Sequence, residues 1–220
     1  DLAEAVLRLA EAEGATEAEV LVAGGDEAIT RFANSEIHQN VAESDIRLNL
    51  RFVRGRRVGV ASSGRTEPEA LRRLVEIAGR IAAIAEETPD WAGLPSAVPA
   101  APVDGAFAAG TADASPELRA AAVRVVIAAA DAAGVGAFGS FSTGVETVAV
   151  ATTTGIRAAE ARTSARLLTV TMGPDDGTGY AEAAAVDATT IDAAAVGREA
   201  AEKASRSAHP VDLPPGDYPV

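Results

Sequence analysis

The stretch ITRFANSEIHQNVAESDIRLNLRFVRGRRVGVASSG, Ile29 to Gly64, decides the fold class. Ile46, Leu48, Leu50 and Phe52 point one way and Arg47, Asn49, Arg51 and Val53 the other, the period-two alternation of a strand with one buried face. Arg54, Gly55 and Arg56 interrupt the run with a residue that tolerates positive φ, and Val58, Val60 and Ala61 resume it, which predicts a β-hairpin. Upstream, residues 28–33 and 36–41 read as strand pieces around Asn34 and Ser35, polar residues suited to a bend or bulge. The expected product is an antiparallel meander.

Working outward, Leu2, Val6, Leu7 and Leu9 share one helical face, and Gly14 stands where a glycine stops a helix. Val20 to Val22 predict a first strand that turns at Gly24 and Gly25. Thr66 with Glu69 forms a capping-box pattern ahead of Leu71, Leu74, Val75, Ala78, Ile81 and Ile84, an amphipathic helix. Residues 1–87 therefore predict a first α+β lobe. Residues 88–114 carry Pro89, Pro95, Pro99 and Pro102 and read as an extended connector pinned by Trp91 and Leu94. Ser115 and Pro116 then give an N-cap followed by proline at the first helical position, opening a helix that includes Leu118, Val125, Val126 and Ile127 and ends near Gly134.

Residues 115–208 repeat the first lobe in outline. Strand material runs from Ala137 to Ala151, a bend from Thr152 to Gly155, alternation at Leu168, Val170 and Met172, a turn from Pro174 to Gly177, and a helix from about Thr190 to Ser205. A shift of 120 positions lays Gly14 on Gly134, Leu48 on Leu168, Leu50 on Val170, Phe52 on Met172 and Gly59 on Gly179, which predicts an internal duplication. The fold class expected is α+β, two duplicated lobes, each an antiparallel sheet with helices on one face.

Composition narrows the function classes. With 48% hydrophobic residues the 220-residue chain can bury a sizeable core, and its apolar runs fall short of the roughly 20 residues of a membrane span. A net charge of -13 repels nucleic acid and anionic lipid, so neither is an expected partner. There is no Cys, which removes disulfides and thiolate chemistry and fits a cytoplasmic location.

Each candidate chemistry has a plainer alternative. Gly134, Gly136 and Gly139 spell G-x-G-x-x-G, but a dinucleotide fingerprint needs a strand before and a helix after, and the predicted order is reversed. Gly173 to Gly177 (GPDDG) lacks the spaced ligands of a calcium loop and reads as a hairpin turn. Ser140 and Ser142 lack the glycine spacing of a nucleophile elbow. His38 and His209, the two histidines, fall on different predicted lobes and in no H-E-x-x-H helix. Arginines 47, 51, 54, 56, 57 and 65 form a basic patch, read as a solvated hairpin or as docking to an acidic surface of the same protein. The catalytic, cofactor-binding and metal-binding residues expected in this chain are none.

RFANSEIHQN (Arg31 to Asn40), VGVASS (Val58 to Ser63) and VAVATTTGIRAAEAR (Val148 to Arg162) resemble the amino-terminal half of the TldD/PmbA family, described as modulators of DNA gyrase and as metallopeptidases. Relatives often carry Asn-Ser ahead of the glycine where this chain has Thr152, Thr153 and Thr154 before Gly155. The resemblance implies that the metal-binding His and Glu residues lie in the carboxy-terminal domain of one of two paralogues, and that none maps onto residues 1–220. LPPGDYPV (Leu213 to Val220) resembles the opening of another strand, so 209–220 is expected to begin that domain. By the same resemblance, zinc belongs to the full-length parent and the partners are a homologous TldD/PmbA-type subunit and an unfolded peptide or protein substrate. The function implied is a non-catalytic region supplying scaffold, substrate access and subunit contacts. The alternative is an independent module that binds a protein such as gyrase without proteolysis.

Overall fold

The computed structural model describes residues 2–97, 101, 103–174 and 176–219, so Pro99, Pro102 and Asp175, named above, lie outside the described residues. In chain order the elements are α1 (Leu2–Ala12), β1 (Glu17–Ala33), β2 (Glu36–Arg54), β3 (Arg57–Ser63), α2 (Pro68–Ile84), α3 (Ala109–Ala112), α4 (Pro116–Ala132), β4 (Gly136–Thr152), β5 (Arg157–Met172), β6 (Thr178–Ala185), a turn of 3-10 helix (Ala188–Thr190) and α5 (Ala193–Ser207). The fold is α+β. The strands form one six-stranded antiparallel sheet in the order β3-β2-β1-β4-β5-β6, where one sheet per lobe was expected. None of the helices among the described residues is long and apolar enough to cross a membrane.

Turn chemistry explains most boundaries. Asn34 (φ 50°) and Ser35 (φ 59°) are both left-handed, the two-residue hairpin loop whose twist matches that of the flanking strands. Gly55 (φ 64°) opens the loop between β2 and β3, closed by the Arg54 to Arg57 pair. Both predicted helix stops end alike. Behind Gly14 (φ 92°), Ala15 N–H donates to Ala10 C=O at 2.9 Å, and behind Gly134 (φ 71°), Val135 N–H donates to Ala130 C=O at 3.0 Å.

Gly24 and Gly25 make no turn, because β1 runs straight through them. A Cβ on Gly25 would lie 1.9 Å from the Val145 carbonyl oxygen and one on Gly24 2.6 Å from that of Asp45, so these glycines serve close backbone approach. The Thr66 capping box is also absent: Pro68 sets the first turn of α2, which puts Glu67 at the N-cap without a side-chain bond.

The chain divides into two compact units. Unit 1 comprises residues 1–26, 43–107 and 145–162. Its core packs Val6, Leu7 and Ala10 of α1 and Leu71, Leu74, Val75 and Ala78 of α2 onto Ala18, Val20, Leu48, Leu50 and Phe52. Trp91 and Leu94 pin the connector as expected: Trp91 Nε1–H and Leu94 N–H donate to the two Glu17 carboxylate oxygens at 2.9 and 3.1 Å.

Unit 2 comprises residues 27–42, 108–144 and 163–220. Its core joins Val123, Val126 and Ala130 of α4 and Val196, Ala200 and Ala204 of α5 to Phe32, Ala137, Phe141 and Leu167. Ser115 caps α4 by accepting from Leu118 N–H at 3.2 Å, with Pro116 in the first turn. Asp192 caps α5, its side chain accepting from Ala195 N–H at 2.9 Å.

The order helix, three strands, helix occurs twice, yet the duplication at a constant offset is not confirmed. Thr163, Ala165, Leu167, Thr169 and Thr171 are the buried β5 residues; Val170 is half-buried and Met172 is 49% exposed. Leu50 and Val170 therefore do not occupy equivalent faces. The segment LLTVTM misleads because after Leu167 it buries Thr169 and Thr171 and leaves Leu168, Val170 and Met172 less buried. No strand forms over 213–219.

Candidate functional site

Gly134 ends α4, Gly136 opens β4 and Gly139 lies within it, so the G-x-G-x-x-G spacing is a helix stop leading into a strand. Gly173 N–H donates to Gly177 C=O at 2.8 Å, closing the β5–β6 turn. His38 is exposed on β2 and His209 follows α5 at φ 56°. Both belong to unit 2, where separate lobes were expected. Among the described residues no group of three or more His, Cys, Asp or Glu converges to hold a metal ion. A zinc site needs three or four such donors around one point, so the described residues do not fit the metal of the implied parent.

The basic patch is largely occupied. Arg51 pairs with Glu19 at 3.0 Å, Arg57 with Glu87 at 3.5 Å and Arg65 with Glu67 at 3.5 Å. Arg54 donates to the Glu13 carbonyl at 2.7 Å and lies 5.4 Å from the Phe52 ring centre. These contacts favour docking onto the chain's own acidic groups over a freely solvated hairpin, although Arg47 and Arg56 are exposed.

Two of the three stretches that carry the family resemblance contain anchored turns. Ser35 N–H donates to Ala137 C=O at 3.0 Å and Ser35 Oγ accepts from Ala137 N–H at 3.2 Å. At the other turn, Thr153 Oγ1 accepts from Ala18 N–H at 2.9 Å, Thr154 Oγ1 donates to Pro95 C=O at 2.7 Å, and Thr152 Oγ1 accepts from Ile156 N–H at 3.1 Å. The three threonines thus supply the turn's own hydrogen bonds.

Sequence reading missed Arg119. It is 2% exposed in unit 2, donating through Nη1 to the Ala114 carbonyl and Thr143 Oγ1, both at 3.0 Å, and through Nη2 to Asn40 Oδ1 at 3.4 Å. Its Nε–H has no partner among the described residues, and burial holds its pKa below the usual arginine value. The available signal was helical spacing, since Arg119 shares the inward stripe of Val123, Val126 and Ala130.

The outer strands and a groove offer surfaces for contact. β3 and β6 each pair on one side only, with Val60 55% and Tyr180 44% exposed. In unit 1 a groove of about 480 Å³ is lined by Leu21, Val148, Val150, Ala159, Arg157 and Glu160. Arg157 is engaged there by Glu4 and by the Thr152 and Ile156 carbonyls, each at 2.6 Å. On β5 and β6, Glu182 Oε2 accepts from Tyr180 O–H at 2.5 Å and from Arg166 Nε–H at 2.9 Å. The Tyr180 hydroxyl and then Arg166 hold the Glu182 carboxyl below its usual range, and the bond to Glu182 raises Tyr180.

Residues 18–82 match the first domain of the PmbA/TldA metallopeptidases and residues 109–208 match their central domain. The chain belongs to the TldD/PmbA family. Its fold is that of TldE from Thermococcus kodakarensis (TM-score 0.80, 18% identity, 93% of this chain and 47% of that one). It is equally similar to candidate modulators of DNA gyrase from Thermotoga maritima MSB8 (TM-score 0.84, 14% identity, 97% and 49%) and Bacteroides thetaiotaomicron VPI-5482 (TM-score 0.78, 15% identity, 96% and 50%). The chain therefore spans about half the length of each TldD/PmbA-type structure. No curated protein is significantly similar in sequence.

Proposed function

We propose that this chain is the non-catalytic amino-terminal region of a TldD/PmbA-type protein acting in peptide or protein processing, as a zinc metallopeptidase or as its metal-free partner subunit. In this reading zinc, where the parent carries it, is held outside residues 1–220. The region supplies scaffold, substrate access and contacts to a homologous subunit. The observation that carries the reading is an open antiparallel sheet whose outer strands, β3 and β6, each have one neighbour. Such an edge offers a row of backbone N–H and C=O groups to an extended peptide, giving affinity with little sequence preference.

Proline removes one edge N–H at a time, and successive N–H groups along an edge strand alternate between inward and outward. Prolines at Val60 and Ala61 on β3, and at Tyr180 and Ala181 on β6, therefore include one outward-facing position per edge. The variants that keep their circular dichroism are titrated with an unfolded casein fragment by calorimetry and tested for self-association by sedimentation. Loss of peptide binding or of association at one edge is expected. Wild-type behaviour in every folded variant on both edges would sink the proposal.

A second reading, a module that modulates a partner such as gyrase without proteolysis, is favoured by the names of two similar structures. With a charge of -13, such a module would meet the enzyme rather than its DNA. Pull-down of gyrase by this chain in nuclease-treated extract, with no casein binding, would favour it.

A further inference from the structure

We infer that the groove between α1 and α2 in unit 1 docks an extended peptide segment that carries a carboxylate next to an aliphatic side chain. The groove has a volume of about 330 Å³, and Ala5, Leu9, Pro68 and Leu71 line it with aliphatic surface. Arg8 and Arg72 supply its only charged lining among the described residues, and both are exposed. Arg8 has no ion-pair partner among the described residues. The carboxylate one turn before it on α1, Glu4, is taken by Arg157.

Arg72 pairs with Glu69 at 3.0 Å, but the side chains of that pair are 58% and 87% exposed. An ion pair so open to solvent is worth little and is readily exchanged for a better-placed carboxylate. The charge pattern selects the occupant. Against the chain's net charge of -13, which repels acidic segments at long range, the two guanidinium groups bordering this apolar groove locally favour an acidic and aliphatic segment and disfavour a basic one.

This inference deepens the reading of the chain as a peptide-contacting region by naming the kind of sequence it prefers. It does not depend on strand-edge capture, because neither β3 nor β6 lines the groove. The two ideas therefore fail separately: edge prolines leave groove docking intact, and groove substitutions leave edge capture intact.

The test is fluorescence anisotropy of a labelled Leu-Asp-Leu-Glu-Leu-Asp peptide with the whole chain in low salt. Two control peptides replace every acid with Lys or every Leu with Ser. The acidic, leucine-containing peptide is expected to bind, to weaken on raising salt, and to outcompete both controls. The double substitution Arg8→Glu/Arg72→Glu lies on exposed helix faces and should weaken binding about tenfold. Glu69→Gln, which releases Arg72, should strengthen it about threefold. Absence of binding at millimolar peptide, equal binding of the serine or lysine control, or unchanged affinity in the double variant would each overturn the inference. Folding of every variant is checked by thermal unfolding, and Glu69→Gln keeps the test open should the charge reversal unfold the chain.

Discussion

The β2 face in unit 1 and the β5 face in unit 2 meet their helices with different chemistry. β2 turns Leu48, Leu50 and Phe52 inward, and the Phe52 ring lies beside Gly79 of α2. β5 turns Leu167, Thr169 and Thr171 inward, and Thr171 Oγ1 donates to the Ala200 carbonyl of α5 at 2.8 Å. The helices match their strands: α2 brings Leu71, Leu74 and Val75, whereas α5 brings Ala193, Val196, Gly197, Ala200 and Ala204. One seam is shared. A Cβ on Gly59 of β3 would lie 2.0 Å from the Ala78 carbonyl oxygen, and one on Gly179 of β6 would lie 1.9 Å from that of Ala200. The same layer can thus be closed by bulk or by hydrogen-bonded small residues, provided the strand next to the helix carries glycine.

The sharpest way to break this comparison is Phe52→Ala, expected to cost about 3–5 kcal/mol in urea unfolding because a large buried ring leaves a cavity that its neighbours cannot refill. A loss below about 1 kcal/mol would mean that bulk does not organise unit 1. Next come Gly59→Ala and Gly179→Ala, each expected to cost about 2–3 kcal/mol by pushing a methyl group into helix backbone. If only one of them destabilises, the two seams are not equivalent.

Thr171→Val tests the polar seam more gently. It keeps shape and removes the bond to Ala200, so about 1–2 kcal/mol should be lost, and no loss would reduce that bond to a bystander. The smallest effect concerns the exposed Glu182. Its folded pKa is depressed, so its contribution is present above the ordinary glutamate value and lost as pH falls through the folded one. The stability difference between the wild-type chain and Glu182→Gln should therefore shrink below about pH 4. A difference that widens in acid would contradict the assignment.

The candidate surfaces were legible unevenly. Edge strands follow from the meander pattern and can be anticipated, and the charge of -13 already argues against nucleic acid. The α1–α2 groove could not be anticipated, since Leu9 and Leu71 lie 62 positions apart and each reads as an ordinary helix residue. Arg119 was hidden for a related reason: an arginine in a helix is normally solvated, and here its acceptors come from Ala114, Thr143 and Asn40.

By itself the sequence determined the elements whose cause is local. Alternation at Ile46 to Phe52, the positive-φ turns at Asn34, Ser35 and Gly55, the glycine stops at Gly14 and Gly134, and the Ser115–Pro116 helix start all act within a few residues of chain. Tertiary structure alone decided which face of β5 is buried, why Gly24 and Gly25 do not turn, and that six strands share one sheet. These outcomes depend on what packs against a segment from far along the chain. A threonine becomes a core residue when a helix carbonyl accepts its hydroxyl, and a glycine becomes a contact point when another strand's backbone reaches it.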